Sequence, residues 1–392
     1  MKKLLQKFNS LSTYARAVII SLFLLLILKF FSRISIISDF YTDHIFRHIS
    51  TPLCMICGFA HFSVGEPAIV LAILFALSTL ILAVVLTFLR KKEKYRHFAV
   101  KWIKSFFAFL IVVGALMTLN CSLPYGCSKL KLNDKTEEDY GFEELFTLRN
   151  HLAEKINALS AVQIRDSGGN AVFDDVHGQD LSDGLVKEMK KAMKGISDDY
   201  PRLSGYYPYP KGLLGSLFMY QTGTIGVYFP FTMESNYSTY LSLVHMPATI
   251  CHEYSHLKGY MFEDEANFIA YIACIESENE FVQYSGYLDA FWYVEMDLMN
   301  YLIDPEKEAI YEKNAVELDE RCDPDLYTYT EEMFEKAEQA SEEFEEKTGV
   351  SQSEVSEMGD DFTDSYASFY DVELNYSEVT ICLLQYFDGV LY

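Results

Sequence analysis

Positive charge is scarce over most of this sequence. Residues 1–130 hold fifteen Lys and Arg against four Asp and Glu, a charge of +11; the 392-residue chain carries −24, so the remainder carries −35. That remainder has no basic face with which to displace phosphate counterions, which excludes nucleic acid as a partner. There is no internal repeat, which excludes a solenoid or propeller. Low-complexity sequence is confined to Glu331–Glu357, rich in Glu, Ser and Lys, which reads as one solvated helix with an apolar stripe at Met333, Phe334, Ala337 and Phe344. The first apolar run is followed by no small-x-small cleavage site, and Phe30 and Phe31 continue it, which argues against a removed signal peptide.

What is abundant is apolar. Half the residues are hydrophobic, with 28 Tyr and 29 Phe, enough for a sizeable core and for side chains that face lipid. Three runs stand out: about 17–37, interrupted by Lys29 and Arg33; 68–89, with no charge; and 105–123, preceded by Trp102. About 20 apolar residues cross a bilayer core, so each reads as a transmembrane helix, with Lys29 able to snorkel. Pro52–Phe62 is too short to span and is expected at the interface or against the helix ends.

Orientation follows the Lys/Arg bias. Lys2, Lys3 and Lys7 precede the first run. Arg90, Lys91, Lys92, Lys94, Arg96, Lys101 and Lys104 separate the second from the third, whereas the intervening loop carries only Arg33 and Arg47 beside Asp39 and Asp43. The N-terminus is therefore expected in the cytoplasm, with everything after Leu123 outside. The basic part suits an anionic leaflet of membrane lipid; the acidic part suits a solubilising surface, or a site that prefers basic substrates. Cys54, Cys57, Cys121 and Cys127 would then face an oxidising space that permits local disulfides, with no pairing indicated. Cys251 and Cys274 read as small buried hydrophobes.

In the acidic part, Glu143–Leu159 and Leu185–Met193 have helical periodicity. Gly223–Phe231 alternates as a strand, ended or placed at a sheet edge by Pro230. The chemistry concentrates in residues 247–274. Pro247 suits a first helical turn, and Gly259 is a natural stop after Lys258. His252 and His256, four apart, share one helix face and can bind one Zn2+, with Glu253 placed as general base: the H-E-x-x-H arrangement. A third ligand is needed to leave one position open. A second helix from about Phe262 to Ser277 supplies Glu263 in its first turn, or Glu265 about 200° away around the axis; Glu263 is the expected ligand and Glu265 the alternative. Asn267 shares the Glu263 face and would hold a ligand from behind. His245, Tyr284 and Tyr287 are candidates to stabilise an oxyanion, each with a structural role as the simpler reading.

The run Met246-Pro-Ala-Thr-Ile-Cys-His-Glu-Tyr-Ser-His-Leu-Lys-Gly259, then Glu263-Asp-Glu-Ala-Asn-Phe-Ile-Ala-Tyr-Ile-Ala-Cys274, resembles domain-of-unknown-function family 3810. So do Tyr206–Lys211, Gly226–Thr232 and Tyr284–Tyr287. These are bacterial membrane proteins for which a zinc-dependent peptidase activity is expected. The resemblance implies a helical HExxH fold with a zinc cofactor, and supplies no substrate. In HExxH peptidases of the glutamate-ligand type, the third ligand lies four residues before an Asp or Asn; carried here, that implies Glu263 with Asn267. Tyr254-Ser255 is more polar than the pattern, and Asp364–Tyr376 matches loosely.

The expected architecture is mainly α with a small β element: a membrane domain of residues 1–130 with three helices, then a mostly helical zincin-like extracytoplasmic domain of residues 131–392. The expected activity is zinc-dependent hydrolysis of a peptide or protein substrate at the outer membrane face. A zinc amide hydrolase acting on cell-wall material, or a non-catalytic zinc-binding scaffold or sensor, stays open.

Overall fold

The computed structural model describes residues 8–89, 91–370 and 377–392. Lys2, Lys3, Lys7 and Arg90, used above for orientation, lie outside the described residues, as do residues 371–376. The chain is mainly helical and divides into two compact units: one runs to Ser128 and includes Phe229–Met233, the other holds Lys129–Tyr228 and Glu234–Tyr392.

In the first unit, helix α1 spans Thr13–Phe31, α2 Ser35–Tyr41, α3 Arg47–Gly58, α4 Gly65–Leu89 and α5 Glu93–Met117. Among the described residues, three helices are long and apolar enough to cross a membrane: α1, α4, and the helical stretch Glu93–Gly126. Their outward faces carry Phe23, Leu26, Leu71, Ile81 and Phe88, all exposed. That is the pattern of a lipid-facing surface, since water would not tolerate it. Two boundaries differ from the apolar runs. The first run breaks at Ser32, whose hydroxyl bonds to the Lys29 carbonyl at 2.8 Å, and the chain restarts as α2; a serine that bonds its own backbone weakens the helix there. The third helix begins at Glu93, twelve residues before the apolar run, because Lys and Arg are good helix formers and the backbone does not register where the membrane starts. Phe75 on α4 meets Trp102, Phe106 and Phe109 of α5, and the Trp102 indole donates to Thr79 Oγ1 at 3.1 Å. Lys29 Nζ finds Ser122 Oγ at 3.3 Å. Pro52 sits inside α3.

The second unit is built on α6 (Phe142–Ser160), α7 (Asp183–Gly195), α9 (Met246–Leu257), α10 (Glu263–Ile275) and α11 (Glu280–Met299). Leu145, Leu148, Leu152 and Ile156 of α6 recur at helical spacing and are buried. α6 packs on α11, and α10 lies between α9 and α11. The core is aromatic. Tyr254, Tyr271, Tyr284 and Phe268 are among its largest fully buried side chains. Buried phenols need acceptors, and two have them: Tyr254 OH donates to the Pro208 carbonyl at 2.7 Å, and Tyr284 OH to Asp325 at 2.9 Å. Cys251 and Cys274 are fully buried in the same core.

Strands are few. β1 (Ile164–Arg165) and β2 (Ala171–Val172) pair antiparallel. A three-stranded sheet has the order β3 (Lys211–Leu213), β5 (Glu234–Ser238), β4 (Gly226–Phe229), with β3 parallel to the central β5. Lys211 and Glu234 form a fully buried ion pair inside it. β4 is shorter than the alternation suggests: Gly223 turns the chain at φ +66°, and Pro230 stops it. A short helix α8 (Ser216–Gln221) precedes β4, and α12 (Pro305–Asn314) follows α11. The low-complexity stretch is not one helix. Gly349, left-handed at φ +72°, ends α13 (Glu331–Thr348), and α14 (Gln352–Tyr370) begins after it. Helix α15 spans Ser377–Phe387.

Candidate metal centre

Helix α9 begins with Pro247 in its first turn and ends before Gly259, which takes φ +90°. A Cβ is disfavoured at that angle, so glycine lets the chain turn back at once. In this turn the Gly259 amide bonds to the His256 carbonyl at 3.0 Å and the Tyr260 amide to the Ser255 carbonyl at 3.1 Å. α10 then starts at Glu263 and returns along α9.

The four-residue spacing puts both rings on one face. Their centroids are 4.6 Å apart, the planes are perpendicular, and the two Nε2 atoms approach to 3.0 Å. Glu263 meets both, with Oε2 at 3.2 Å from His252 Nε2 and Oε1 at 3.6 Å from His256 Nε2. One atom from each of the three lies within 4.8 Å of the others. Behind the rings, His252 Nδ1 lies 2.6 Å from Asn267 Oδ1, and His256 Nδ1 lies 2.8 Å from the Tyr260 carbonyl. Both partners are acceptors, so each Nδ1 is held as the N–H and each Nε2 is the atom that offers a lone pair when the ring is neutral. Two lone pairs and a carboxylate thus converge on one point. That donor set fits a divalent cation, and two imidazoles with one carboxylate suit zinc. The side chains of His252 and Glu263 are 16% and 24% exposed, so the point is reachable from solvent.

The other acids of the first turn point away. Glu265 is buried and accepts a hydrogen bond from the Leu130 amide; Asp264 faces Lys129 at 3.3 Å. Among the described residues, His252, His256 and Glu263 are the group that comes together, and Glu265 is not part of it.

Glu253 is buried between α9 and β4. The Tyr228 backbone amide hydrogen-bonds to its carboxylate, and Oε2 is buried with no hydrogen-bond partner among the described residues. Burial pushes Glu253 up to about 7, partly offset by the charge of the two histidines. Burial opposes the charged form of His252, but the hydrogen bond and charge of Glu263 outweigh it and hold the ring up at about 9. Burial likewise opposes the Glu263 charge, yet His256 and His252 hold that carboxyl well below the ordinary carboxylate range. Proton and cation compete for the same lone pairs.

The oxyanion candidates are engaged elsewhere. His245 Nε2 lies 3.0 Å from the Asp325 carbonyl, Tyr284 donates to the Asp325 side chain, and Tyr287 makes an edge contact with Tyr271. Two residues near the centre carried no sequence signal that tied them to it, although Tyr228 lies in the strand-like run and in the family-like run Gly226–Thr232. The Tyr228 ring lies 6.0 Å from that of His256, and Asp289 on α11 is pushed up to about 6 by burial, eased by the charge of His252. Each is distant in sequence from the motif, and no spacing rule links them to it.

The fold and site together define a class: a mainly helical chain with three membrane-length helices, followed by a helical domain carrying a His-Glu-x-x-His helix and a facing glutamate. The chain belongs to the family described as Protein of unknown function (DUF3810), whose model matches residues 41–366. No curated protein and no solved structure matches it.

Proposed function

We propose that this chain is a membrane-anchored zinc peptidase, with His252, His256 and Glu263 holding the ion and Glu253 serving as general base. The observation that carries the reading is the convergence of two Nε2 atoms and a carboxylate beside a buried acid whose second oxygen has no partner among the described residues. Zinc there would supply a Lewis acid that polarises a carbonyl and makes water a nucleophile near neutral pH. The chain's own residues do the rest. Asn267 and the Tyr260 carbonyl fix the tautomer and direction of the two rings. Glu253, raised to about 7, can take a proton at Oε2 from attacking water and return it to the leaving amine at the same pH. The Lys/Arg bias around the apolar helices supports an orientation with the helical domain outside the cytoplasm.

The test is metal content with turnover. Full-length protein purified without chelators should hold one zinc and cleave peptides, and Glu253→Gln should keep the zinc and lose hydrolysis. Wild-type protein that takes up no zinc sinks the proposal. Running labelled peptides beside peptidoglycan fragments separates a peptidase from a cell-wall amide hydrolase, and labelling of single cysteines from either side of the membrane tests the orientation.

A further inference from the structure

Strand β4 has two edges with different partners. The Ile225 carbonyl accepts from the Ser238 amide at 2.9 Å, and the Val227 carbonyl from Asn236 Nδ2 at 3.1 Å, so the odd-numbered residues turn their backbone groups to β5. Along a strand, neighbouring residues turn these groups to opposite sides. The Tyr228 amide therefore points the other way, and there it bonds to Glu253.

Two residues earlier stands Gly226. A Cβ at that position would lie 2.4 Å from Glu253 Oε1, 3.0 Å from Glu253 Cγ and 2.9 Å from Thr249 Cγ2. The first distance is far inside van der Waals contact, and Thr249 Cγ2 and Glu253 Cγ crowd the same point, so something must shift. Glu253 is 4% exposed on a helix whose preceding and following turns are buried. A side chain at 226 would displace either the strand or the acid.

We propose that Gly226 and the Tyr228 amide are positioning elements for Glu253: the bare backbone at 226 lets the strand lie flush on the acid, the Tyr228 amide fixes one end of it, and Oε2 is left free to carry the proton. This rests on Glu253 acting as general base, as set out above. The Gly226–Glu253 contact itself does not depend on that role.

The experiment is a stability cycle on the full chain in detergent, read beside turnover. Gly226→Ala should lower the melting temperature by roughly 2–4 °C in the wild-type background, as overpacking does. In the Glu253→Ala background the shift should fall to less than half, because two of the three close atoms are gone and only Thr249 Cγ2 remains. Amide exchange at Tyr228 should quicken in Glu253→Ala. With zinc content unchanged, Gly226→Ala should lose roughly ten-fold or more in kcat with KM nearly constant, since a displaced base weakens the chemical step and leaves binding alone. Glu253→Asp in the Gly226→Ala background should recover part of the lost melting temperature, because the shorter acid withdraws from the new methyl.

Equal melting shifts in both backgrounds would overturn the contact. Relief in the cycle with unaltered kcat would overturn the positioning role. A wild type that holds zinc without turnover would overturn the peptidase reading alone, and the cycle and the exchange rate would still decide whether Gly226 and Tyr228 grip Glu253.

Discussion

Removing the acceptor behind one histidine should weaken the metal centre by a calculable amount. His252 Nδ1 lies 2.6 Å from Asn267 Oδ1, and Asn267 is only 6% exposed. Asn267→Leu keeps the approximate shape and deletes the acceptor. The Nδ1–H is then left in a part-buried position with no partner, which costs about 1–3 kcal/mol. The ring can escape that cost by moving its proton to Nε2, but this removes the lone pair offered to the ion. Either way metal affinity falls, and an outer partner of a ligating histidine is generally worth about 10–100-fold, or roughly 1.4–2.7 kcal/mol. His256 is a built-in contrast, because its Nδ1 is held by the Tyr260 carbonyl, which no side-chain substitution removes. Asn267→Asp keeps the acceptor, and the Asn267 Nδ2 it replaces is buried with no hydrogen-bond partner among the described residues, so no described bond is lost. Competition titration of the purified chain against a chromophoric zinc chelator measures the effect. The dissociation constant should rise about 10–100-fold for Asn267→Leu and stay at or below the wild-type value for Asn267→Asp. A Leu variant within about two-fold of wild type would refute the claim that Asn267 orients His252.

Three other outcomes follow from the structure. Glu263→Ala should lose bound zinc while Glu265→Ala retains it, read by elemental analysis of the purified proteins, since only Glu263 meets the two rings. Burial pushes Glu265 up to about 7 from an ordinary 4.5, against the pull of the Leu130 amide. Its folded pKa is raised, so its contribution is fully present below about 4.5 and is lost as the pH climbs through about 7, a span worth up to roughly 3 kcal/mol. Glu265→Gln should therefore flatten the fall in unfolding free energy across that window, and an unchanged pH slope would count against the burial argument. Asp325 is fully buried and accepts from Arg165 Nη1 at 2.8 Å, the Ala171 amide at 2.8 Å and Tyr284 OH at 2.9 Å; Asp325→Ala removes the acceptor of the Ala171 amide and of Tyr284 and the counter-charge of Arg165, which keeps its bond to the Gly169 carbonyl, and should destabilise the chain by about 3–5 kcal/mol in chemical denaturation, with less than 1 kcal/mol contradicting the role assigned to this clamp.

Much of the site was legible because it is local. Two histidines four apart, a proline to start their helix and a glycine to end it are instructions read within fourteen residues. The same holds for Glu263 and Glu265, which a helical wheel sets on different faces; one reaches the rings and the other the Leu130 amide. The three membrane-length helices were legible because apolar length is a property of composition. Where the reading went astray, a local signal was outweighed. Glu331–Glu357 has a continuous helical composition, and a single left-handed Gly349 divides it. The first apolar run does form a membrane-length helix, but its end falls at Phe31 rather than near residue 37, because Ser32 turns its hydroxyl onto the backbone.

The surroundings of Glu253 were not legible, and the reason is physical. In the sequence, Gly226 and Tyr228 are a glycine and an aromatic in a strand-like run, residues that any sheet edge would accept. Their importance arises only because β4 folds back onto α9, a contact across about 25 residues that no periodicity encodes. The HExxH pattern specifies which acid sits beside the two histidines, but not what holds that acid still. A glutamate side chain has three rotatable bonds, and a base must be held near its target to act. The helix aims Glu253 in a direction, and the strand closes the remaining freedom. For the general-base role proposed for Glu253, the glycine and the backbone amide of the facing strand supply the restraint that the motif itself does not specify.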